Sequence, residues 1–210
     1  MRAVDGVDIE VGEREFIGII GPSGSGKSSL LYLLAGLKRP TSGEIRFQER
    51  SLSGLGTSAL AELRRRHFGF VFQNHFLIHY LTGLENVRVG GNGDLSNADR
   101  LLRELNVAHV RDKFPYEMSA GERQRVAICR AIVHAPDVLF ADEPTASLDR
   151  PNADIVVEHL RGTAKRGTLF VVTHDETILR GADRVLQMYG GRLVRQPGER
   201  PPEGSHPSSP

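Results

Sequence analysis

One cysteine, Cys129, is all the thiol chemistry this 210-residue sequence holds. A lone thiol excludes an internal disulfide and fits a reducing compartment. Its place inside a helical pattern makes it a small buried hydrophobe rather than a reactive group. Surplus charge is missing as well. Lys and Arg number 27 against 26 Asp and Glu, a formal net charge of +1, so no basic excess exists to neutralise nucleic-acid phosphates. No apolar run reaches the roughly 18 residues that crossing a bilayer takes, and the first residues carry no apolar signal core. The expectation is a soluble, intracellular chain, long enough for one large domain or two small ones. With 39% hydrophobic residues it has the means to fill a core.

What is present alternates. "EREFIGII" (13–20) reads as a buried strand, and Lys27 to Gly36 as a helix with apolar Leu30, Leu31, Leu33 and Leu34. "GEIRF" (43–47) and "FGFVFQ" (68–73) read as short strands on either side of a basic amphipathic helix, "SALAELRRR". A helical stretch from about Ser96 to His134 follows. After it come a strand "DVLFAD", a helix from Pro151 to Lys165, a strand "TLFVVTH" and a final pair, "RVLQMY" and "RLVR". Strands alternating with helices predict a mostly parallel sheet covered on its faces. The helical middle interrupts the alternation and is expected to be a subdomain. The stretch 196–210, rich in Pro, Gly and Ser, is expected to be a disordered tail.

Chemistry concentrates at strand ends. "GPSGSGKS", comprising Gly21, Pro22, Ser23, Gly24, Ser25, Gly26, Lys27 and Ser28, matches G-x-x-x-x-G-K-[ST] between a strand and a helix. Its glycines let backbone N–H groups wrap a phosphate, Lys27 reaches the β- and γ-phosphates, and the Ser28 hydroxyl serves Mg²⁺. Ser29 follows on the helix. "VLFADE" ends a buried strand in Asp142, a carboxylate for the Mg²⁺ shell, and then Glu143, placed to take a proton from attacking water. Gln73 and His174 also close strands, where α/β sheets bind their ligands. Either residue alone would be an ordinary loop or solvated side chain; the convergence is the argument. Farther along, "MSAGE" sets Ser119 three residues before Glu122. That is a capping box opening a helix whose positive end can hold an anion.

Taken in order, these segments resemble an ATP-binding-cassette (ABC) ATPase over about residues 3–194. They are the Walker A loop, the Q-loop Gln73, the signature "MSAGE", the Walker B strand, the D-loop "SLD" and the H-loop His174. "ELRRRHFGFVFQ", "LTGLENV", "GERQRVAICRA" and "ADEPTASLDRPNAD" are most similar to the lipoprotein-release and macrolide-export (LolD/MacB) group. The resemblance implies a P-loop NTPase fold spanning residues 1–195, with an antiparallel β subdomain and an inserted helical subdomain at about 74–134. It implies ATP and Mg²⁺, with Ser28, Gln73 and Asp142 serving the metal and Glu143, His174 and Lys27 acting in hydrolysis. It also implies head-to-tail pairing with a second ATPase subunit, so that Ser119, Ala120, Gly121 and Glu122, with Asp149 in the D-loop, face the partner's nucleotide. Separate transmembrane permease subunits would place the protein at the cytoplasmic face of the inner membrane, without nucleic acid. The segment Asn74 to Asn86 is either a permease groove or plain core packing.

The sequence departs from the family pattern twice. Ala120 stands where a glycine is usual, which is harmless if the backbone there is helical and obstructive if φ is positive. No aromatic residue precedes Phe16 to stack on adenine, as though the chain started late or had lost the ring. Such a stack is worth about 1–3 kcal/mol. Two further readings remain: a non-transport ABC ATPase regulating a membrane partner in cell-wall or cell-division processes, and a regulatory module that binds ATP without turnover.

Overall fold

The computed structural model describes residues 3–91 and 95–194, so the expected tail lies outside the described residues. Strands β1 (Phe16–Ile20), β4 (Phe68–Val71), β5 (Val138–Asp142), β6 (Thr168–Val172) and β7 (Arg184–Tyr189) run parallel in the order β4-β5-β6-β1-β7. Strand β8 (Arg192–Val194) folds back antiparallel on β7 at the edge. All five residues of β5 and of β6 are buried, as a parallel sheet covered on both faces requires. The period of two sorts them. Leu139, Ala141, Leu169 and Val171 join one core cluster, while Val138, Phe140, Phe170 and Val172 join the other.

Helix α1 (Lys27–Leu34) covers the second face through Leu30 and Leu31. The first face is covered by α5 (Ala120–Ile132), through Val126, Ala127 and Ile128, and by α6 (Arg150–Ala164), through Val156, Val157 and Leu160. Helix α5 packs on both the sheet and the helices α3 (Gly83–Val89) and α4 (Leu95–Glu104). It therefore carries the chain from the helical middle back to β5.

Several expected boundaries move. Strand β1 begins at Phe16 rather than Glu13, and residues 3–15 carry no strand; Asp5 N–H instead donates to the Gly191 carbonyl at 2.8 Å. "GEIRF" contributes only β2 (Arg46–Phe47), paired antiparallel with β3 (Arg50–Ser51), which the sequence pattern did not reveal. Helix α2 (Thr57–His67) matches the basic amphipathic segment, burying Leu60 and Leu63. Strand β4 stops at Val71, two residues short of Gln73. The helical middle is not continuous. Between α4 and α5 lie two short 3₁₀ turns, Ala108–Val110 and Pro115–Glu117.

The segment after β4 does two things at once. Leu77 and Leu84 are buried, and the fully buried Asn86 bonds both backbone groups of Ile78 and the carbonyls of Leu81 and Thr82 at 2.7–3.1 Å. Phe76 and Tyr80 meanwhile stand 63% and 80% exposed. Core packing thus holds for part of this stretch, and the rest is exposed.

Candidate functional site

The loop between β1 and α1 is shaped by its glycines. Gly26, which caps α1, sits at φ 101°, and Gly21 at φ 148°. A Cβ on Gly26 would fall on the Ala3 carbonyl, and one on Gly21 on the Met188 carbonyl. No side chain fits either place. Lys27 opens α1, and its ammonium donates to the carbonyls of Gly21 at 2.8 Å and Pro22 at 3.0 Å. The first turn of α1 carries no acidic side chain, so the positive helix end faces the loop uncompensated.

Across from α1 stands the end of β5. Asp142 is 1% exposed, its Oδ1 accepting from the Ser28 hydroxyl at 3.1 Å and its Oδ2 from the Tyr32 hydroxyl at 3.3 Å. Burial pushes the Asp142 carboxyl above its ordinary range, against the pull of those two bonds and of the Lys27 charge. A serine hydroxyl beside a carboxylate is a hard oxygen donor set, which fits Mg²⁺. The next residue, Glu143, adopts φ 49°, left-handed for a residue with a side chain. Such a conformation costs about 1–3 kcal/mol and persists only when its surroundings hold it. Here the Glu143 N–H donates to the Val172 carbonyl at 2.8 Å, and its Oε1 lies 3.4 Å from His174 Nε2.

These groups line one cleft of about 890 Å³, within the range of small-molecule sites. Its walls include Ser23, Gly24, Gly26, Lys27, Ser28, Ser29, Gln73, Asp142, Glu143 and His174. Gly21, Pro22 and Ser25 do not line it, though the Gly21 and Pro22 carbonyls hold the Lys27 ammonium. The sequence reading missed Ala3, Thr145, Ala146, Val172, Thr173 and Asp175, which complete the lining. It also missed Tyr32, although the spacing from Ser28 by one helical turn was visible.

The remaining expected residues do not line this cleft. Ser119 caps α5, with the Glu122 N–H donating to its hydroxyl at 3.2 Å and its own N–H donating to the Glu122 carboxylate at 2.7 Å. His109 Nε2 lies 2.6 Å from Glu122, and this bond, with that cap, holds the Glu122 carboxyl down at about 2. Ala120 is the first residue of α5 and is not among the positive-φ residues, so its methyl group meets no conformational penalty. Asp149 caps α6 by accepting from the Asn152 N–H at 3.1 Å. The two helix ends adjoin: a Cβ on Gly121 would lie 3.1 Å from the Ser147 carbonyl.

The family model described as "ABC transporter" matches residues 4–146. The chain belongs to that family. This ABC cassette is also similar to a solved structure described as a "Dimeric structure of a post-hydrolysis state of the ATP-binding cassette MJ0796 bound to ADP and Pi". There the identity is 33% and the TM-score 0.88 over 92% of this chain and 89% of that one. A second, described as a "Dimeric Structure of MJ0796, a Bacterial ABC Transporter Cassette", has 32% identity and a TM-score of 0.86 over the same shares. The cassette is an ABC ATPase with the α/β P-loop fold and its mostly parallel core sheet. No helix among its described residues is long and apolar enough to cross a membrane.

Proposed function

We propose that two copies of this cassette close on MgATP, hydrolyse it and thereby power separate transmembrane permease subunits at the cytoplasmic face of the inner membrane. The observation that carries the reading is a division of labour. One cleft gathers Lys27, Ser28, Gln73, Asp142, Glu143 and His174, while the capped Ser119 end of α5 lies outside it, free for a second copy's nucleotide. The dimeric MJ0796 structures support that pairing.

In the proposed reaction the loop N–H groups and Lys27 hold the β- and γ-phosphates; Lys27 exchanges two carbonyl partners for phosphate oxygens. Ser28, Asp142 and Gln73 would hold Mg²⁺, which when bound offsets phosphate charge. Glu143 accepts a proton from the attacking water, and His174, at ion-pair distance from Glu143, orients that carboxylate and meets the γ-phosphate. The ATPase unit spans 1–195, with the helical subdomain at about 74–134. Exposed Phe76 and Tyr80 beside Gln73 are the proposed permease contact. The quoted sequence stretches support a kinship with the lipoprotein-release and macrolide-export group.

The test uses the Glu143→Gln variant, which should accumulate unhydrolysed ATP and elute as a dimer with MgATP and as a monomer without it. Adding Ser119→Arg should abolish the dimer while leaving monomer nucleotide affinity unchanged. A dimer that survives Ser119→Arg, or a parallel loss of monomer affinity, would refute the trans arrangement.

A further inference from the structure

Helix α1 contributes two hydroxyls, four residues apart, to one carboxylate. Ser28 takes Oδ1 of Asp142 and Tyr32 takes Oδ2, at 3.1 and 3.3 Å. A residue four positions on lies on the same helix face, so both donors reach the end of β5 together. We propose that Tyr32 is a positioning residue that fixes the Asp142 carboxylate for the divalent cation of the nucleotide site.

The carboxylate is buried to 1% exposure, so water cannot substitute freely for a lost donor. With both oxygens held, its plane cannot rotate, and each oxygen keeps a lone pair for a cation or a cation-bound water. Ser28 alone would leave the group free to turn about one bond. The Tyr32 hydroxyl is itself immobilised. Its ring packs on Phe70 and Phe72, with centroids 5.6 and 6.2 Å apart, and the Lys38 ammonium lies 5.4 Å over its face. Phe72 directly precedes Gln73 and makes an edge contact with the exposed Phe76 at 5.1 Å. The same aromatic row therefore holds the tyrosine and the glutamine-bearing loop, so the Asp142 carboxylate is registered against both α1 and the end of β4.

This inference rests on the reading of Asp142 as a metal-serving residue. The experiment uses the full chain and a fluorescent, non-hydrolysable ATP analogue, titrated first in EDTA and then against rising Mg²⁺. Tyr32→Phe keeps the ring and removes only the hydroxyl. Its affinity in EDTA should match wild type within about twofold, which also reports an intact fold. The Mg²⁺ concentration for half-maximal enhancement should rise about three- to tenfold, the scale of one ordinary hydrogen bond. Mn²⁺ binding to the nucleotide complex, followed by electron paramagnetic resonance, should weaken in parallel. A double-mutant cycle separates the route: in the Asp142→Asn background, Tyr32→Phe should have no further effect on Mg²⁺ dependence. An equal loss in both backgrounds would overturn the inference, as would an unchanged Mg²⁺ midpoint in Tyr32→Phe. A wild type with no Mg²⁺ dependence would instead overturn the assignment of Asp142 itself.

Discussion

Replacing Glu143 by Gln separates binding from chemistry, because the amide keeps the shape of the side chain and removes its basicity. The residue sits at φ 49° with its N–H donating to the Val172 carbonyl at 2.8 Å, and its carboxylate accepts from the His174 N–H at 3.4 Å, a bond that the amide oxygen of Gln can keep. Gln tolerates that conformation about as well as Glu, so the end of β5 and the Asp142 bonds should survive. Lost would be the proposed acceptor for water's proton and the attraction to His174 Nε2, 3.4 Å away. A positioned general base is worth about 10²–10⁴-fold, which corresponds to about 3–5 kcal/mol of activation free energy. The expected result is a fall of that size in single-turnover phosphate release, with nucleotide affinity within about twofold of wild type. Lys27→Ala should give the opposite pattern, weakening nucleotide binding itself. If Glu143→Gln released phosphate at the wild-type rate, Glu143 would not be the base, and the strain stored at its backbone would need another purpose.

Two further outcomes follow from local geometry. Gly26→Ala would force a side chain at φ 101° onto the Ala3 carbonyl; left-handed strain alone costs about 1–3 kcal/mol, so calorimetry should show Tm lowered by about 2–12 °C, with nucleotide binding lost, whereas an unshifted Tm would contradict the loop geometry. His109→Ala should raise the Glu122 pKa from about 2, because its largest depressing partner is gone. A depressed carboxyl stabilises the fold fully above its unfolded value of about 4.5 and loses that contribution as pH falls toward its folded value. Both proteins should begin to lose stability as pH falls through about 4.5, but the variant should lose less and finish losing it at a higher pH in thermal melts between about pH 2 and 5, and superimposable profiles would exclude the His109 contact.

The sequence by itself determined whatever depends on neighbouring residues along the chain. The spacing of Gly21, Gly26 and Lys27 between a strand and a helix located the phosphate loop, since loop conformation and helix start are local properties. Ser119 and Glu122 announced their reciprocal cap for the same reason, and the apolar run into Asp142 announced a buried strand ending in a carboxylate. Short strands were less legible: β2 and β3 have two residues each, too few for a period of two to register. Tertiary structure decided the rest. The Tyr32 hydroxyl meets a carboxylate 110 positions away only because the order β4-β5-β6-β1-β7 packs α1 against the end of β5. Gly26 needs its hydrogen because residue 3 passes over it, a contact made through the far edge of the sheet by way of Asp5 and Gly191. Whether Ala120 obstructs its motif turned on one backbone angle, and Glu143 took a left-handed angle that its residue type disfavours. Side-chain direction and close approach are set by which elements pack together, and packing is a property of the whole chain.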